Sequence, residues 1–415
     1  MVKSLKPFSF KQSGAILLYL FAVVTLGSFN VGPLSLRVYS TVIMLLYLFV
    51  NIYRFNSLNV IPISNTYIKL YILFLFIFFI CLCITGDLVR IGFFRRLLAY
   101  DLVCIVTFFA IYLMVNSRTQ LRQVVIFLLL ICLFDAIVTI LQVTGNELGW
   151  VIGRFIAPFD NAKEIAERNS EIVGISIAPG VFGNVVANAF KLTSFAPLVF
   201  AFLNKNNNAT SFHSMVFNVV VFVAIFLTQQ RAAFYLFLFT WIVYLYIRII
   251  RKPILLLFLL FAIALIAIKM GENFSEFDFG RLISVRDDAR SSMAQYALTF
   301  IPDHFLFGGA LEFMSVTGLS SHNILFDSFI FAGVGGFITL MTFNLKIAFT
   351  CIRHIIFFIK RKCSQMTFAL AMAMTSCTLY GFTHNTSVLT GDVVVFILLA
   401  LLLKSIQIDK IQRKN

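Results

Sequence analysis

Apolar runs of about 15 to 22 residues recur along this chain, nearly free of charge and without polar–apolar alternation. YILFLFIFFICLCI at 71–84 is one, and QVVIFLLLICLFDAIVTILQ at 123–142 is another. In lipid, every backbone N–H and C=O must be satisfied internally, so only helices and closed barrels span a bilayer. Barrel strands alternate apolar and polar residues, whereas these runs do not. The expected fold is therefore all-α. Composition rules out the soluble alternative. The 415 residues are 60% hydrophobic, include 50 Phe and have a mean hydropathy of +0.95, more apolar surface than a soluble domain of this size can hide.

Twelve spans are expected, near 13–28, 34–53, 67–85, 97–115, 123–143, 181–203, 214–229, 232–249, 253–269, 322–344, 365–383 and 391–405. They form a single polytopic membrane domain over 1–415. The first span follows Lys3, Lys6 and Lys11, as a signal peptide would, but no small-residue cleavage site follows it, so it reads as a retained anchor. With the N-terminus in the cytoplasm and strict alternation, the inner side holds 20 of the 33 Lys and Arg and one acid, Asp409, while the outer side holds the other 13 bases and 17 acids. The two sides then carry +19 and −4, which restores the net charge of +15. Positive residues favour the inside, so both termini are expected in the cytoplasm. Arg90, Arg95 and Arg96 go against the trend. The basic balance describes topology and implies no nucleic-acid partner.

None of the seven cysteines falls in an outer loop, so no disulfide framework is expected, and Cys81 and Cys83 read as small core residues. Inner loops are short. There is no Walker A motif and no room for a nucleotide-binding domain, which excludes a self-contained ATP pump. The energy must come from an ion gradient or a pre-activated substrate. Two larger outer loops, 144–180 and 270–321, are the places to look for function. Within the second, Met293, Tyr296, Ala297, Phe300 and Ile301 have helical apolar spacing, as in a helix lying at the membrane surface.

Basic residue choice differs between the sides: twelve Lys to eight Arg inside, three Lys to ten Arg outside. A guanidinium fork binds phosphate oxygens in pairs and stays charged when partly desolvated. Arg231, in FLTQQRAAFYLF, stands at a tight turn near the outer interface, where it must face protein, water or an anion; its plainer reading is a snorkelling anchor. Arg290, in RDDAR, has a plainer reading as a partner of Asp287. Arg154, Arg281 and Arg286 are further substrate-binding candidates from the outer loops. His322 opens the tenth span, where an imidazole suits general-base work near neutral pH; it could equally be a hydrogen-bonded helix-start residue. Asn323 and Asp327, four apart, share a helix face, and Asp327 either tunes this region or is satisfied within the bundle. Gly333 and Gly336 read as sites of close helix packing. No metal site or cofactor motif stands out.

The order of these residues resembles a known family. An Arg at a span start (TQQRAA) is followed by a long outer loop with DDARSSMAQYALTFIPDHFLFGG. Then come His322–Asn323, nine residues, Gly333, two residues and Gly336. This pattern, over roughly 180–345, is similar to the O-antigen ligase and polymerase superfamily of bacterial envelope polysaccharide assembly. The resemblance implies a GT-C-like helical fold in the bacterial inner membrane, with the active site facing the periplasm. It implies a donor glycan carried on undecaprenyl diphosphate. The acceptor would be a second lipid-linked repeat unit in a polymerase, or lipid A–core in a ligase, with a chain-length regulator as a further partner. Arg231 and Arg290 would bind the diphosphate, His322 would activate the acceptor hydroxyl, and Asn323 would sit beside it. The residue reading agrees in outline: without ATP the donor must be pre-activated, outer arginines would stabilise a diphosphate leaving group, and no metal is needed. The expected activity is that of a polymerase. A ligase, or a transporter of the same lipid-linked sugar, are the alternatives; a transporter favours ionisable residues deep in the bilayer, and here only Asp101 and Asp135 look deep.

Overall fold

Long apolar segments dictate helices, and helices are what the computed structural model contains. It describes residues 10–27, 29–31, 34–55, 66–156, 163–164, 167, 178–203, 208–249, 288–318, 321, 323–383 and 391–414. The helices are α1 (Phe10–Val24), α2 (Leu36–Phe55), α3 (Thr66–Thr85), α4 (Phe93–Arg96), α5 (Leu102–Met114), α6 (Arg118–Val143), α7 (Glu147–Ile156) and α8 (Val185–Phe195). They continue with α9 (Asn208–Leu227), α10 (Arg231–Ile249), α11 (Asp288–Asp303), α12 (Ala310–Thr317), α13 (Ile324–Ile359), α14 (Gln365–Gly381) and α15 (Val393–Lys414). A π-turn over Leu97–Asp101 joins α4 to α5, and a 3-10 segment, Ala196–Ala201, extends α8. The one described β ladder pairs Asn30–Val31 with Leu34–Ser35 as a two-residue hairpin between α1 and α2.

Five described helical segments, Thr66–Thr85, Phe93–Met114, Arg118–Val143, Arg231–Arg248 and Ile324–Ile359, are long and apolar enough to cross a membrane. Four shorter apolar helices accompany them. The chain is an all-α membrane protein. Eleven expected spans fall on described helices; the ninth, 253–269, lies outside the described residues. Lipid explains the outer surface: Ile43, Leu46, Phe49 and Met215 are each at least 60% exposed, which water would penalise and acyl chains do not. The interior is built on α14 and α15, where Phe368–Met374 and Val394–Leu402 are fully buried. Alanines at 369, 371 and 373 bring the backbones close, the packing that lipid-embedded helices use where no hydrophobic effect drives association. Phe74, Phe108, Phe343, Phe368 and Phe396 fill the remaining space.

Side-chain contacts fix the relative directions of neighbouring helices. Tyr67 bonds Thr350 at 2.6 Å while Cys81 points its thiol at the Ala332 carbonyl, so α3 and α13 are opposed. Gln365 reaches the Leu203 carbonyl and Tyr380 the Val186 carbonyl, which opposes α14 to α8. The bundle thus has two ends. The rim holds the starts of α8, α10, α13 and α15; the base holds the starts of α6 and α14.

Three expectations need correction. Cys83 is exposed, although Cys81 is buried. The tenth span is longer than expected and broken: Ala332 (φ −142°, ψ 19°) and Gly333 (φ 56°, ψ −164°) interrupt α13, which then runs on to Ile359. Gly333 is more than a packing residue. The loop Phe305–Gly309 docks into the break, with Val334 N–H donating to Phe305 O at 2.8 Å and Gly309 N–H to Ile330 O at 2.9 Å. A Cβ on Gly333 would collide with the Leu306 carbonyl. Finally, the helix expected over 290–301 is present as α11, but its apolar stripe is covered by protein. Ala297 and Phe300 pack with Ala310, Phe313 and Ile330 in a small core of their own.

Candidate functional site

The short helical piece before the break in α13 is framed by polar contacts at its start. Asn323 is the N-cap, in extended conformation, and its Oδ1 accepts from Leu325 N–H at 2.8 Å. An Asn here satisfies one of the orphan amides that a helix start leaves. Asp327 is fully buried, and its Oδ1 accepts from both Ser321 N–H (2.8 Å) and Ser321 Oγ (2.7 Å). Asn323 thus caps the helix, while Asp327 reaches back to tie down the preceding turn. Ser321 and Asn323, on either side of position 322, are both fixed. His322 itself lies outside the described residues, as do Arg281 and Arg286.

Arg231 is the first residue of α10 and half-buried. It follows a tight turn in which Gln229 takes a left-handed φ of 53°, a conformation that costs a side-chain-bearing residue energy and clusters at functional sites. Gln229 Oε1 is buried without a hydrogen-bond partner among the described residues. A helix N-terminus already carries partial positive charge, so an arginine there strengthens a field that attracts anions. Arg290 falls in the first turn of α11 at the same end, its side chain outside the described residues. The structure brings Arg231, Asn323 and Asp327 to the rim. Arg154 is on the exposed side of α7, with no hydrogen bond or ion pair among the described residues. Beside it on α7, the Glu147 carboxyl is held below its usual range by a 2.8 Å hydrogen bond from Lys163.

A second group at the rim, of which sequence reasoning saw only the acids Asp101 and Asp135, is a belt of buried charge through α2, α4, the π-turn, α6 and α8. Asp101, fully buried at the end of the π-turn, accepts from Tyr71 OH at 2.5 Å and faces Arg96 Nε at 3.5 Å. Single π-turns inside helices often accompany functional sites. Gly391, left-handed at φ 67°, approaches the same carboxylate so closely that a Cβ would lie 2.9 Å from Asp101 Oδ1. Asp135, also fully buried, accepts from Val181 N–H at 2.8 Å, and the Asn188 amide, with its nitrogen turned to the carboxylate, donates to the other oxygen. Gln142 clamps Gly180 through both its amide atoms. Lys191 is only 8% exposed; its ammonium sits 3.5 Å over the Phe182 ring and feels the charges of Asp392, Arg37 and Asp135 without a hydrogen bond among the described residues. Arg37 stacks over Tyr100, and its Nε is buried without a hydrogen-bond partner in the same set. Asp101 and Asp135 stood out in the sequence as deep acids. Lys191 carried an equally good signal, a lone cation in the apolar run NAFKLTSFAPL.

The rim is thus a surface of cations held in a poorly hydrated setting, with acids committed to structural hydrogen bonds. Such an arrangement suits recognition of an anionic group. Among the described residues, no group of three or more His, Cys, Asp or Glu could hold a metal ion. Compared with known proteins, no family model matches the chain and no curated protein matches it.

Proposed function

We propose that the protein is an O-antigen or related polysaccharide repeat-unit polymerase, an inverting glycosyltransferase working at the periplasmic face of the bacterial inner membrane on undecaprenyl-diphosphate-linked donors. The observation that carries this reading is the frame around position 322. Buried Asp327 holds Ser321, and Asn323 caps the helix that follows, so both chain neighbours of position 322 are fixed. A general base needs such placement, within hydrogen-bond reach of one hydroxyl. In this reading the acceptor sugar hydroxyl attacks the anomeric carbon of the donor. His322 takes the hydroxyl proton, the bond from anomeric carbon to phosphate oxygen breaks, and undecaprenyl diphosphate leaves with the electron pair. Attack opposite the leaving group inverts the centre. Arg231 and Arg290 neutralise the charge that grows on the diphosphate. Asn323 and Asp327 position His322, and Arg154, Arg281 and Arg286 guide the glycan. The chain needs no metal or cofactor for this chemistry.

The test is reconstitution of the full chain with lipid-linked repeat units. A ladder of lengthened glycans supports the polymerase, whereas transfer only to lipid A–core makes the protein a ligase. Full turnover by the Arg231→Ala protein would remove the diphosphate clamp, and an unchanged pH profile in His322→Ala would remove the base.

A second reading is favoured by the belt of buried charge. Ionisable residues deep within membrane bundles mark substrate and ion pathways, so a transporter of the same lipid-linked sugar is the alternative. Movement of labelled lipid across proteoliposomes without glycan elongation would select it.

A further inference from the structure

The base of the bundle carries a cavity that the reading above does not use. It has a volume of about 400 Å³, within the range of about 300–1,000 Å³ of small-ligand sites, and lies where α6, α14 and α15 meet. Leu121, Met366 and Ile408 form its apolar wall; Arg118, Arg122 and Ser364 are among its polar groups. Two helices begin in it, α6 at Arg118 and α14 at Gln365, so their N-terminal dipoles add positive potential. One side is already filled by an anion of the protein itself. Asp409 accepts from Arg118 Nη2 (3.1 Å), Ser364 N–H (2.9 Å) and Thr367 Oγ1 (2.7 Å). Arg122, one turn along α6, is exposed and has no acid within ion-pair distance among the described residues; its guanidinium stacks over Phe202. Beyond Gln365, a second cavity of about 230 Å³ is lined by Arg248 and Arg361. Asp409 is the single described acid at this end, against a surplus of arginines and lysines.

Arg118 is the first residue of a membrane-crossing helix, so the cavity sits at the depth of the lipid headgroups. We propose that it is a binding site for the phosphodiester headgroup of an anionic glycerophospholipid. Arg122 binds the phosphate, and the apolar wall of Leu121, Met366 and Ile408 receives the start of an acyl chain. Basic pockets between membrane helices bind acidic headgroups by this combination of charge and apolar contact. The proposal is independent of the polymerase reading, because it concerns the opposite end of the bundle.

The test uses the full chain in detergent micelles doped with phosphatidylglycerol or phosphatidylcholine, with retained lipid counted by native mass spectrometry. Preferential retention of phosphatidylglycerol is expected. Arg122→Gln should weaken it about fivefold, the worth of one interfacial arginine, and Lys69→Gln, which removes an exposed cation outside the cavity, should leave it unchanged. Equal losses in the two variants would reduce the effect to diffuse surface charge and overturn the site. So would the absence of any preference for phosphatidylglycerol. Inorganic phosphate is the remaining arm: if it displaces the retained lipid at millimolar concentration, the cavity is a free-phosphate site and the lipid assignment fails.

Discussion

The two ends of this bundle handle buried charge in opposite ways. At the base, polar groups find partners. Lys404, 6% exposed, donates to Asn116 Oδ1 at 2.9 Å; Asp409 takes three donors; and Thr367 also pairs with Ser405 at 2.6 Å. At the rim, Lys191 is as deeply buried, yet it has only a ring face and distant charges. Gln229 and Arg37 each leave a buried polar atom without a partner among the described residues. A buried cation without hydrogen bonds costs stability, so natural chains keep one where it does something else. The base satisfies its buried charge, whereas the rim leaves part of its own without hydrogen bonds among the described residues.

Removing a charge should therefore have different consequences at the two ends. The largest expected effect is on the proposed glycosyl transfer. Arg231→Ala should lower glycan elongation at least about a hundredfold, the usual loss when a preorganised transition-state charge is removed, measured per folded molecule. Asp409→Ala should do the reverse. It strands Arg118, the Ser364 amide and the Thr367 hydroxyl, and should destabilise the protein by about 3 kcal/mol in denaturant titrations, with activity per folded molecule retained. A matched pair of lysine replacements sharpens the contrast. Lys191→Met at the rim should be neutral or stabilising by about 1 kcal/mol, whereas Lys404→Met at the base should cost about 1 kcal/mol through the lost bond to Asn116. Equal effects from the two would erase the distinction drawn here.

Two smaller effects bear on the same comparison. At the base, burial, with the Asp409 charge adding to it, pushes the Cys363 thiol up to about 12. Maleimide at pH 8 should therefore leave Cys363 unmodified, since the thiolate is the reactive form. At the rim, the Glu147–Lys163 pair is exposed, and its contribution should be slight and salt-sensitive. The sign is fixed: a carboxyl held low in the folded state stabilises above its unfolded pKa and loses that contribution as pH falls through its folded value. A drop in protease resistance of the α7 segment near pH 4, suppressed in Glu147→Gln, is the expected result.

The helical architecture was legible because apolar run length alone decides what lipid will accept. Asp101 and Asp135 were legible as deep acids because each stands alone in an apolar run. Lys191 offered the same signal and was passed over in favour of arginines at span ends. Gly333 was misread for a different reason. Its role depends on a contact with residues 305–309, some 25 positions away, and neither propensity nor periodicity encodes which loop will dock into a helix break. Cys83 was misread because burial and apolarity come apart in a membrane, where a small apolar side chain is equally at home facing lipid. The candidate triad of Arg231, Arg290 and His322 was readable as motif. Of its three side chains, the described residues include Arg231 alone.

The break at Gly333 makes the longest described helix into two rods, one of about two turns and one that continues to the far end. The loop between α11 and α12 bonds to both rods, through Gly309 N–H to Ile330 O before the break and Val334 N–H to Phe305 O after it. A side chain at position 333 would thus disturb the short rod, the long rod and the docked loop together.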